Sequence, residues 1–386
     1  MTATVASATP SFASTPQIRV LAACILARVP LLIKGDPGQG KTARNNALAD
    51  TWNYWFESIT GSNREATDFL GLPVEVEGEQ RYTSLDWARR LNENAKERPT
   101  TGSVLFLDEF NTQEDSMKAM LRVLEERYVG PDKLDDNVAI VAAMNPANIA
   151  TGGIDLPSPI ANRVVHMDWH FDFDAWAEGF VTGFTNTKEP TLDELTVVPT
   201  DSRLAALRSS VVAFLKSNST LVNGCPTTDP DKASGAWPSP RMWTKAVEAI
   251  SWLHPDDTAA IRLLLTGAVG RDASVAFMSW LEKQDLYDPE EVLADPSIVD
   301  WRGRPDRLYA MTLSVASLIK MRDDSALWTK GLRLFASGAN AGRMDTAWIG
   351  ARILINAQPT ERVGIPSAVR TAFKESLEAV GLLAAA

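Results

Sequence analysis

The sequence predicts an α/β fold in which a mostly parallel sheet is flanked by helices and is followed by an all-α domain and a further helical extension. Two observations support this fold class. Up to about residue 168, short apolar runs alternate with amphipathic helical stretches, which is typical of a parallel sheet covered by helices. After about residue 170, β-like runs become rare and apolar residues recur mostly at helical spacing.

Each predicted element of the first part has its own local signal. Residues 1–16 are rich in Ser, Thr, Ala and Pro without apolar periodicity, so we predict a flexible leader. Apolar residues at helical spacing predict a first helix at 17–27, and a second helix is predicted at 43–54, after a glycine-rich loop. The predicted core strands share short, mostly apolar runs. They lie at 29–33, 104–107, 139–143 and 163–167.

The length and the changes in composition predict the domain organisation. A chain of 386 residues is two to three times the usual domain length. We place an α/β core at 17–170, a helical domain at 171–285 and a C-terminal helical extension at 286–386. The stretch 218–240, dense in Pro, Gly, Ser and Thr, is the clearest long loop.

Charge and cysteine usage exclude several classes of protein. The chain has 38 Lys and Arg against 49 Asp and Glu, a net charge of −11 that argues against a broad nucleic-acid-binding surface. It has neither an apolar run long enough to span a membrane nor a secretory signal, so we expect a cytoplasmic protein without membrane association. Cys24 and Cys225 form no C-x-x-C pattern, and we predict neither a structural disulfide nor a zinc site.

A glycine-rich segment between a predicted strand and a predicted helix matches the pattern G-x-x-x-x-G-K-[ST] in full. It consists of Gly35, Asp36, Pro37, Gly38, Gln39, Gly40, Lys41 and Thr42. In this context the backbone N–H groups point inward around phosphate oxygens, and the helix start adds its positive end. We therefore predict an ATP site in which Lys41 reaches the β- and γ-phosphates and Thr42 offers its hydroxyl to Mg²⁺.

Two adjacent acids, Asp108 and Glu109, directly follow the apolar run 104–107. At the carboxyl end of a buried strand, the first acid lies where the metal binds, so we expect Asp108 to hold Mg²⁺ mostly through water. Glu109 then faces the γ-phosphate and orients and deprotonates a water molecule. Because Glu109 supplies the base that hydrolysis needs, the pair favours an ATPase over a phosphotransferase.

Beyond these two motifs, three further segments resemble the AAA+ superfamily and, within it, the MoxR-type ATPases. The strand that ends before Asn145 and a proline is similar to the family's sensor 1 strand, which implies that Asn145 helps to position the attacking water. The segment 156–164 resembles the one whose arginine reaches the neighbouring subunit's γ-phosphate, and this implies the same role for Arg163. The Ser-Pro-Arg that ends at Arg241 resembles sensor 2, which implies a position over the phosphates from a helical lid at 171–285.

The resemblance covers roughly residues 17–285 and includes a segment that is similar to the family's inserted β-hairpin. The stretch 67–83 is similar to the place where MoxR-type proteins insert a β-hairpin, and in ring assemblies such loops line the central pore. The resemblance implies a ring-forming, hexameric chaperone or remodelling motor that acts on a protein client, often beside a protein with a von Willebrand factor A domain. The sequence departs from the family at 236–238, where small residues are expected, and after about residue 286.

Two other functions stay open at this point. One is a nucleic-acid-associated motor or the nucleotide-driven subunit of a restriction system, against which the acidic balance and the lack of a basic tail argue. The other is a nucleotide-gated scaffold with little turnover. The presence of Glu109, Asn145 and Arg163 argues against that scaffold.

Overall fold

A computed structural model describes residues 12, 14–111, 114–146, 154–184, 189–283 and 285–381. Most of the predicted leader at 1–16 lies outside the described residues. The chain divides into two compact units, of which unit 1 comprises Met1–Val198 and Asn223–Val275, and unit 2 comprises Pro199–Val222 and Ala276–Ala386. In the described part of the chain, no helix is both long and apolar enough to cross a membrane.

The strands all belong to unit 1. They are β1 (Leu31–Lys34), β2 (Trp55–Thr60), β3 (Pro73–Val76), β4 (Glu79–Tyr82), β5 (Ser103–Asp108), β6 (Tyr128–Val129), β7 (Asp132–Lys133), β8 (Val138–Met144) and β9 (Val165–Asp168). Five of them form one parallel sheet in the order β2-β5-β8-β1-β9. The predicted parallel sheet is therefore confirmed, and the carboxyl ends of its strands meet at one edge.

The helices flank the sheet in unit 1 and make up unit 2. The first eight are α1 (Pro16–Leu26), α2 (Lys41–Thr51), α3 (Thr67–Leu70), α4 (Asp86–Glu97), α5 (Glu114–Glu126), α6 (Ser158–Ala161), α7 (Phe173–Thr182) and α8 (Leu192–Leu195). The next five are α9 (Asp201–Ser217), α10 (Pro230–Ala233), α11 (Pro240–Ile250), α12 (Thr258–Val269) and α13 (Arg271–Glu282). The last six are α14 (Pro289–Ala294), α15 (Pro305–Arg322), α16 (Ser325–Asn340), α17 (Met344–Asn356), α18 (Ser367–Ala372) and α19 (Lys374–Ala379).

The apolar runs predicted as strands are buried in the central strands of the sheet, at 31–33 in β1, 104–107 in β5 and 138–144 in β8. In the parallel register, Leu105 of β5 lies opposite Ile140 of β8, and Ile33 of β1 lies opposite Ala143. Side chains from α4 and α5 cover one face of this sheet, among them Trp87 and Met117. Burial of this apolar surface fixes the strand ends that carry the polar residues of the site.

The hairpin expected within 67–83 is present. Strands β3 and β4 pair antiparallel, and the residues between them, Glu77 and Gly78, have φ values of +54° and +78°. Positive φ at both positions is what a tight two-residue turn needs. Leu72 and Tyr82 at the base of the hairpin are more than half exposed.

Unit 2 is a helical unit with its own apolar core. Helices α15, α16 and α17 pack around Trp328, whose Nε1 donates a hydrogen bond to the carbonyl of Leu354 at 2.7 Å. A glycine permits one close approach, because a Cβ at Gly338 would lie 2.5 Å from the ring of Trp301. Residues 286–386, the predicted C-terminal helical extension, lie in this unit together with residues 199–222 and 276–285.

The two units divide the range 171–285, which the sequence analysis treats as one helical domain. Helix α9 lies in unit 2, where Ala205 belongs to the apolar core and Phe214 contacts Phe277 with ring centroids 5.2 Å apart. Helices α10, α11 and α12 lie in unit 1. The difference arises because the packing partners of α9 follow it in the chain by more than fifty residues, and helical periodicity alone does not identify such partners.

Candidate functional site

The segments predicted to bind phosphate, Mg²⁺ and the attacking water meet at the carboxyl edge of the parallel sheet. The glycine-rich loop follows β1, Asn145 follows β8, and Asp108 ends β5. Because β8 lies between β1 and β5, Asn145 comes between the loop and the acidic pair. The sheet order thus brings together Lys41, Thr42, Asp108, Glu109 and Asn145, which are 104 residues apart at the extremes of the sequence.

The glycines of the loop are required by its backbone. Gly38 and Gly40 have φ values of +80° and +71°, in the left-handed region that other residues rarely adopt. A Cβ at Gly35 would lie 2.9 Å from the Cβ of Trp169. Helix α2 begins at Lys41, so the loop leads directly into a helix amino terminus, as expected for a phosphate-binding loop.

Lys41 is buried, and its ammonium group donates hydrogen bonds to three oxygen atoms. Its Nζ donates to the carbonyls of Gly35 and Asp36 at 2.6 and 2.9 Å and to Asn145 Oδ1 at 3.0 Å. Burial lowers the pKa of Lys41, while the carboxylates of Asp108 and Asp36 oppose that shift. The ammonium group therefore lies at the loop, next to the predicted sensor residue Asn145.

Thr42 and Asp108 provide two adjacent oxygen ligands suited to Mg²⁺. Thr42 Oγ1 donates to Asp108 Oδ2 at 2.5 Å, and the second oxygen of Asp108 accepts from the backbone N–H of Glu109 at 2.9 Å. Among the described residues, no group of three or more His, Cys, Asp or Glu forms a metal site by itself. The two groups fit a Mg²⁺ ion that takes its other ligands from phosphate and water.

Glu109 has a contact that the sequence analysis missed. Its carboxylate accepts a hydrogen bond from the hydroxyl of Ser62, which follows β2. Glu109 has φ +50°, and a Cβ at Gly61 would lie 2.8 Å from its carbonyl oxygen, so this turn needs a glycine as its neighbour. Ser62 could have been found from its position just after β2, the strand next to β5. It was not, because β2 was not among the predicted strands.

Asn111 is a second residue whose role the sequence did not reveal. Its side chain is fully buried, and Nδ2 donates to the carbonyls of Asn145 at 3.1 Å and Ile154 at 3.3 Å. The backbone N–H of Ile154 in turn donates to the Asn111 carbonyl at 3.0 Å. Asn111 therefore joins the end of β8 to the start of the segment that leads to Arg163.

A cavity of about 430 Å³ adjoins the glycine-rich loop. One wall is formed by Gly38–Gly40 and the start of α2, and the other by residues 169–176 with Phe184. Trp176 on α7 lines the cavity and stacks on Phe180, with ring centroids 4.9 Å apart. The volume and the aromatic wall suit a nucleobase with its ribose.

Two polar contacts shape this cavity. The side-chain amide of Gln17 on α1 pairs with the backbone of His170, donating to its carbonyl at 2.9 Å and accepting from its N–H at 3.0 Å. Arg44 on α2 forms an ion pair with Glu189 at 2.9 Å. Burial raises the pKa of Glu189, and Arg44 opposes that shift.

The two predicted arginines lie together in a second cluster, on the carboxylate of Glu125 at the end of α5. Arg163 Nη2 lies 2.6 Å from this carboxylate, and Arg241 Nη2 lies 3.6 Å from it. The Arg163 side chain is 15% exposed and that of Arg241 is 46% exposed. The described contacts of Arg241 are thus with the Arg163 cluster, whereas the resemblance implied a position over its own subunit's phosphates.

A third cation completes the cluster, which we call the arginine cluster (Glu125, Arg163, Arg241 and Lys245). Lys245 on α11 donates from Nζ to the carbonyl oxygen of Arg163. The hydrogen bond from Arg163 holds the pKa of Glu125 below its usual range. Lys245 carries no sequence motif, and its position one helical turn after Arg241 is the only signal that points to it.

Comparison with known proteins identifies part of this chain. Residues 30–164 match the family described as AAA domain (dynein-related subfamily). Midasin from Giardia intestinalis is 24% identical over 191 residues, which are 43% of this chain and 4% of Midasin. A putative ATPase of known structure from Cytophaga hutchinsonii is 17% identical, with a TM-score of 0.44, over 70% of this chain and 89% of its own.

The family match coincides with the site. Its bounds, 30 and 164, enclose β1, the glycine-rich loop, the acidic pair and Asn145, and they end directly after Arg163. The match to the AAA domain family is therefore confined to residues 30–164, and the chain spans only a small fraction of the length of Midasin.

Proposed function

We propose that this chain, which contains an AAA domain at residues 30–164, is a MoxR-type AAA+ ATPase that converts ATP and water to ADP and phosphate. The observation that carries the proposal is the continuous set of contacts along the sheet edge. Lys41 contacts Asn145, Thr42 contacts Asp108, and Glu109 follows Asp108 directly. These are the groups that phosphate binding, metal binding and water activation require.

ATP would bind with its phosphates in the loop 35–42 and its base in the adjoining cavity. The phosphates meet the N–H groups of the loop and of the first turn of α2, and Lys41 exchanges one of its carbonyl acceptors for a phosphate oxygen. Thr42 and Asp108 would hold Mg²⁺, which when bound supplies positive charge to the phosphates. Trp176 offers its ring face to the base.

Hydrolysis requires a base and an oriented water molecule. Glu109 takes the proton of the attacking water, and the hydrogen bond from Ser62 competes with that water for one oxygen of the Glu109 carboxylate. The Oδ1 atom of Asn145 accepts from Lys41, so its amide N–H₂ is the group that can orient the water or a γ-phosphate oxygen. We therefore expect the hydrogen bond between Ser62 and Glu109 to slow hydrolysis.

The arginine cluster supports a site shared between subunits. Both arginines lie on Glu125, so a single surface of one subunit would present two cations to the γ-phosphate of the next. Arg163 must exchange its ion pair with Glu125 for that phosphate, which makes hydrolysis depend on assembly. We propose that the chain acts as a homo-hexamer and that Arg241 serves the neighbouring site together with Arg163.

The proposed work of this motor is the remodelling of a protein client. The exposed hairpin β3–β4, flanked by Leu72 and Tyr82, is a suitable element to contact a client in a ring. The net charge of −11 supports a protein client over nucleic acid. A partner that carries a von Willebrand factor A domain belongs to the same proposal, and so does a cytoplasmic location.

Phosphate release with Mg²⁺ and ATP tests the reaction. We expect Glu109→Gln to lower turnover by about 100-fold or more while ATP binding is retained, because only the base is lost. Glu97→Gln is the matched control, since this side chain is 73% exposed on α4. A wild-type chain without turnover, or Glu109→Gln with the wild-type rate, would refute the proposal, and strong stimulation by DNA or RNA would favour a nucleic-acid motor.

Mixing of variants tests the shared site. Arg163→Ala subunits keep their own Glu109, and Glu109→Gln subunits keep both arginines. If the arginines act on the neighbouring site, a mixture of the two inactive variants recovers turnover, because a Glu109→Gln subunit completes the site of an Arg163→Ala subunit. The same mixture with Arg241→Ala tests Arg241. Mixtures that stay inactive would contradict the shared site.

A further inference from the structure

Helix α11 is attached to the Arg163 segment by side-chain hydrogen bonds at its first turns. Ser239, the N-cap of α11, donates to Asn162 Oδ1 at 2.6 Å, and Asn162 Nδ2 donates to the carbonyl of Trp237 at 3.0 Å. Two turns into the helix, Lys245 donates to the carbonyl of Arg163. The residue that precedes Arg163 and the Arg163 carbonyl itself are therefore both fixed to α11.

Lys245 and the charged groups around it carry three positive charges against two negative ones. It shares a helix face with Arg241, four residues before it, and both lie close to Arg163. The charged and titratable groups that act on Lys245 are Arg241 and Glu248 on α11, Arg163 after α6, Glu125 on α5 and Cys24 on α1. Three cations thus surround Glu125, which favours the approach of a further anion.

Lys245 loses its charge within the pH range in which ATP hydrolysis is commonly measured. Burial, followed by the charge of Arg241, lowers the pKa of Lys245 to about 8. Because the lowered pKa belongs to a cation, Lys245 is charged below pH 8 and becomes neutral as the pH rises through this value. Loss of the charge weakens its hydrogen bond to the Arg163 carbonyl and removes one of the three positive charges.

We infer that Lys245 is a positioning residue for Arg163. Its ammonium group holds the backbone of Arg163 and adds a third positive charge next to the surface that receives the neighbouring subunit's γ-phosphate. The inference rests on the proposed function, because it assigns Lys245 to the shared site. Lys245 acts through Arg163 and does not itself need to contact the nucleotide.

The pH dependence of turnover in the assembled protein tests this inference. We expect wild-type kcat to fall about fivefold between pH 7 and pH 9.5, with a midpoint near the pKa of Lys245. Lys245→Arg, which stays charged, should keep kcat within about twofold over this range. Lys245→Met should lower kcat about tenfold at pH 7 and abolish the midpoint, with an unchanged Kd for ATP.

The controls separate positioning from loss of folding and from failure of the proposed function. Lys232→Met is the matched control, because this lysine lies in the same unit with 77% of its side chain exposed. An unchanged Kd for ATP shows that Lys245→Met is folded, and rescue by Lys245→Arg shows that charge matters. Wild-type kcat and pH profile in Lys245→Met would overturn the inference alone, whereas a wild-type chain without turnover would overturn it together with the proposed function.

Discussion

A buried ion pair between α1 and the start of α12 gives the sharpest prediction for stability. The guanidinium of Arg19 contacts both carboxylate oxygens of Asp257, at 2.5 and 3.1 Å, and the two side chains are 5% and 1% exposed. Asp257 also caps α12 by accepting from the N–H of Ala260. Asp257→Asn keeps a capping residue but leaves the Arg19 charge buried without a carboxylate, so unit 1 should lose about 3–5 kcal/mol.

Urea unfolding followed by circular dichroism measures this loss. Asp257→Ala also removes the cap and should cost about 1 kcal/mol more than Asp257→Asn. The matched control is Asp86→Asn, which breaks an exposed pair with Arg89 and should cost at most about 1 kcal/mol. If the free energy of unfolding of Asp257→Asn lies within about 1 kcal/mol of the wild-type value, the buried pair does not hold α1 to α12 as the contacts indicate.

Three further predictions concern the site and unit 2. Ser62→Ala removes a competing partner of Glu109 and should raise the basal phosphate-release rate about threefold, and an unchanged or lower rate would contradict this. Trp176→Ala should weaken ATP binding about tenfold in a calorimetric titration with kcat unchanged. An unaltered Kd would contradict the placement of the base in this cavity. Gly338→Ala should destabilise unit 2 by about 1–3 kcal/mol through overlap with the ring of Trp301, and an unchanged melting temperature would refute this close packing.

The sequence predicts those parts of the fold that depend on residues close together in the chain. Strands β5 and β8 are runs of consecutive buried residues, and the glycine-rich loop needs left-handed backbone at Gly38 and Gly40, so both leave a direct trace in the sequence. Strand β2 was not predicted, because only Ile59 within it is buried and its other five residues are partly or fully exposed. Ser62 was missed for the same reason.

The position of Arg241 depends on contacts that no local pattern contains. The hydrogen bond from Ser239 to Asn162 and the ion pair with Glu125 join segments that are 77 and 116 residues apart. The same holds for α9, whose helical periodicity was read correctly but whose partners in unit 2 follow much later. The sequence therefore predicts the five residues that lie together at the sheet edge, but neither Ser62 and Asn111 nor the grouping of the two arginines.

In the proposed hexamer, the buried side chain of Asn111 has a consequence for communication between successive subunits. One amide group contacts both the backbone carbonyl of Asn145, the predicted water-orienting residue, and the carbonyl of Ile154, nine residues before Arg163. In the proposed hexamer, this contact would link occupancy of a subunit's own pocket to the arginine that the subunit presents to the next pocket. Such a link makes ATP saturation cooperative, with a Hill coefficient above one that Asn111→Ala should bring to about one.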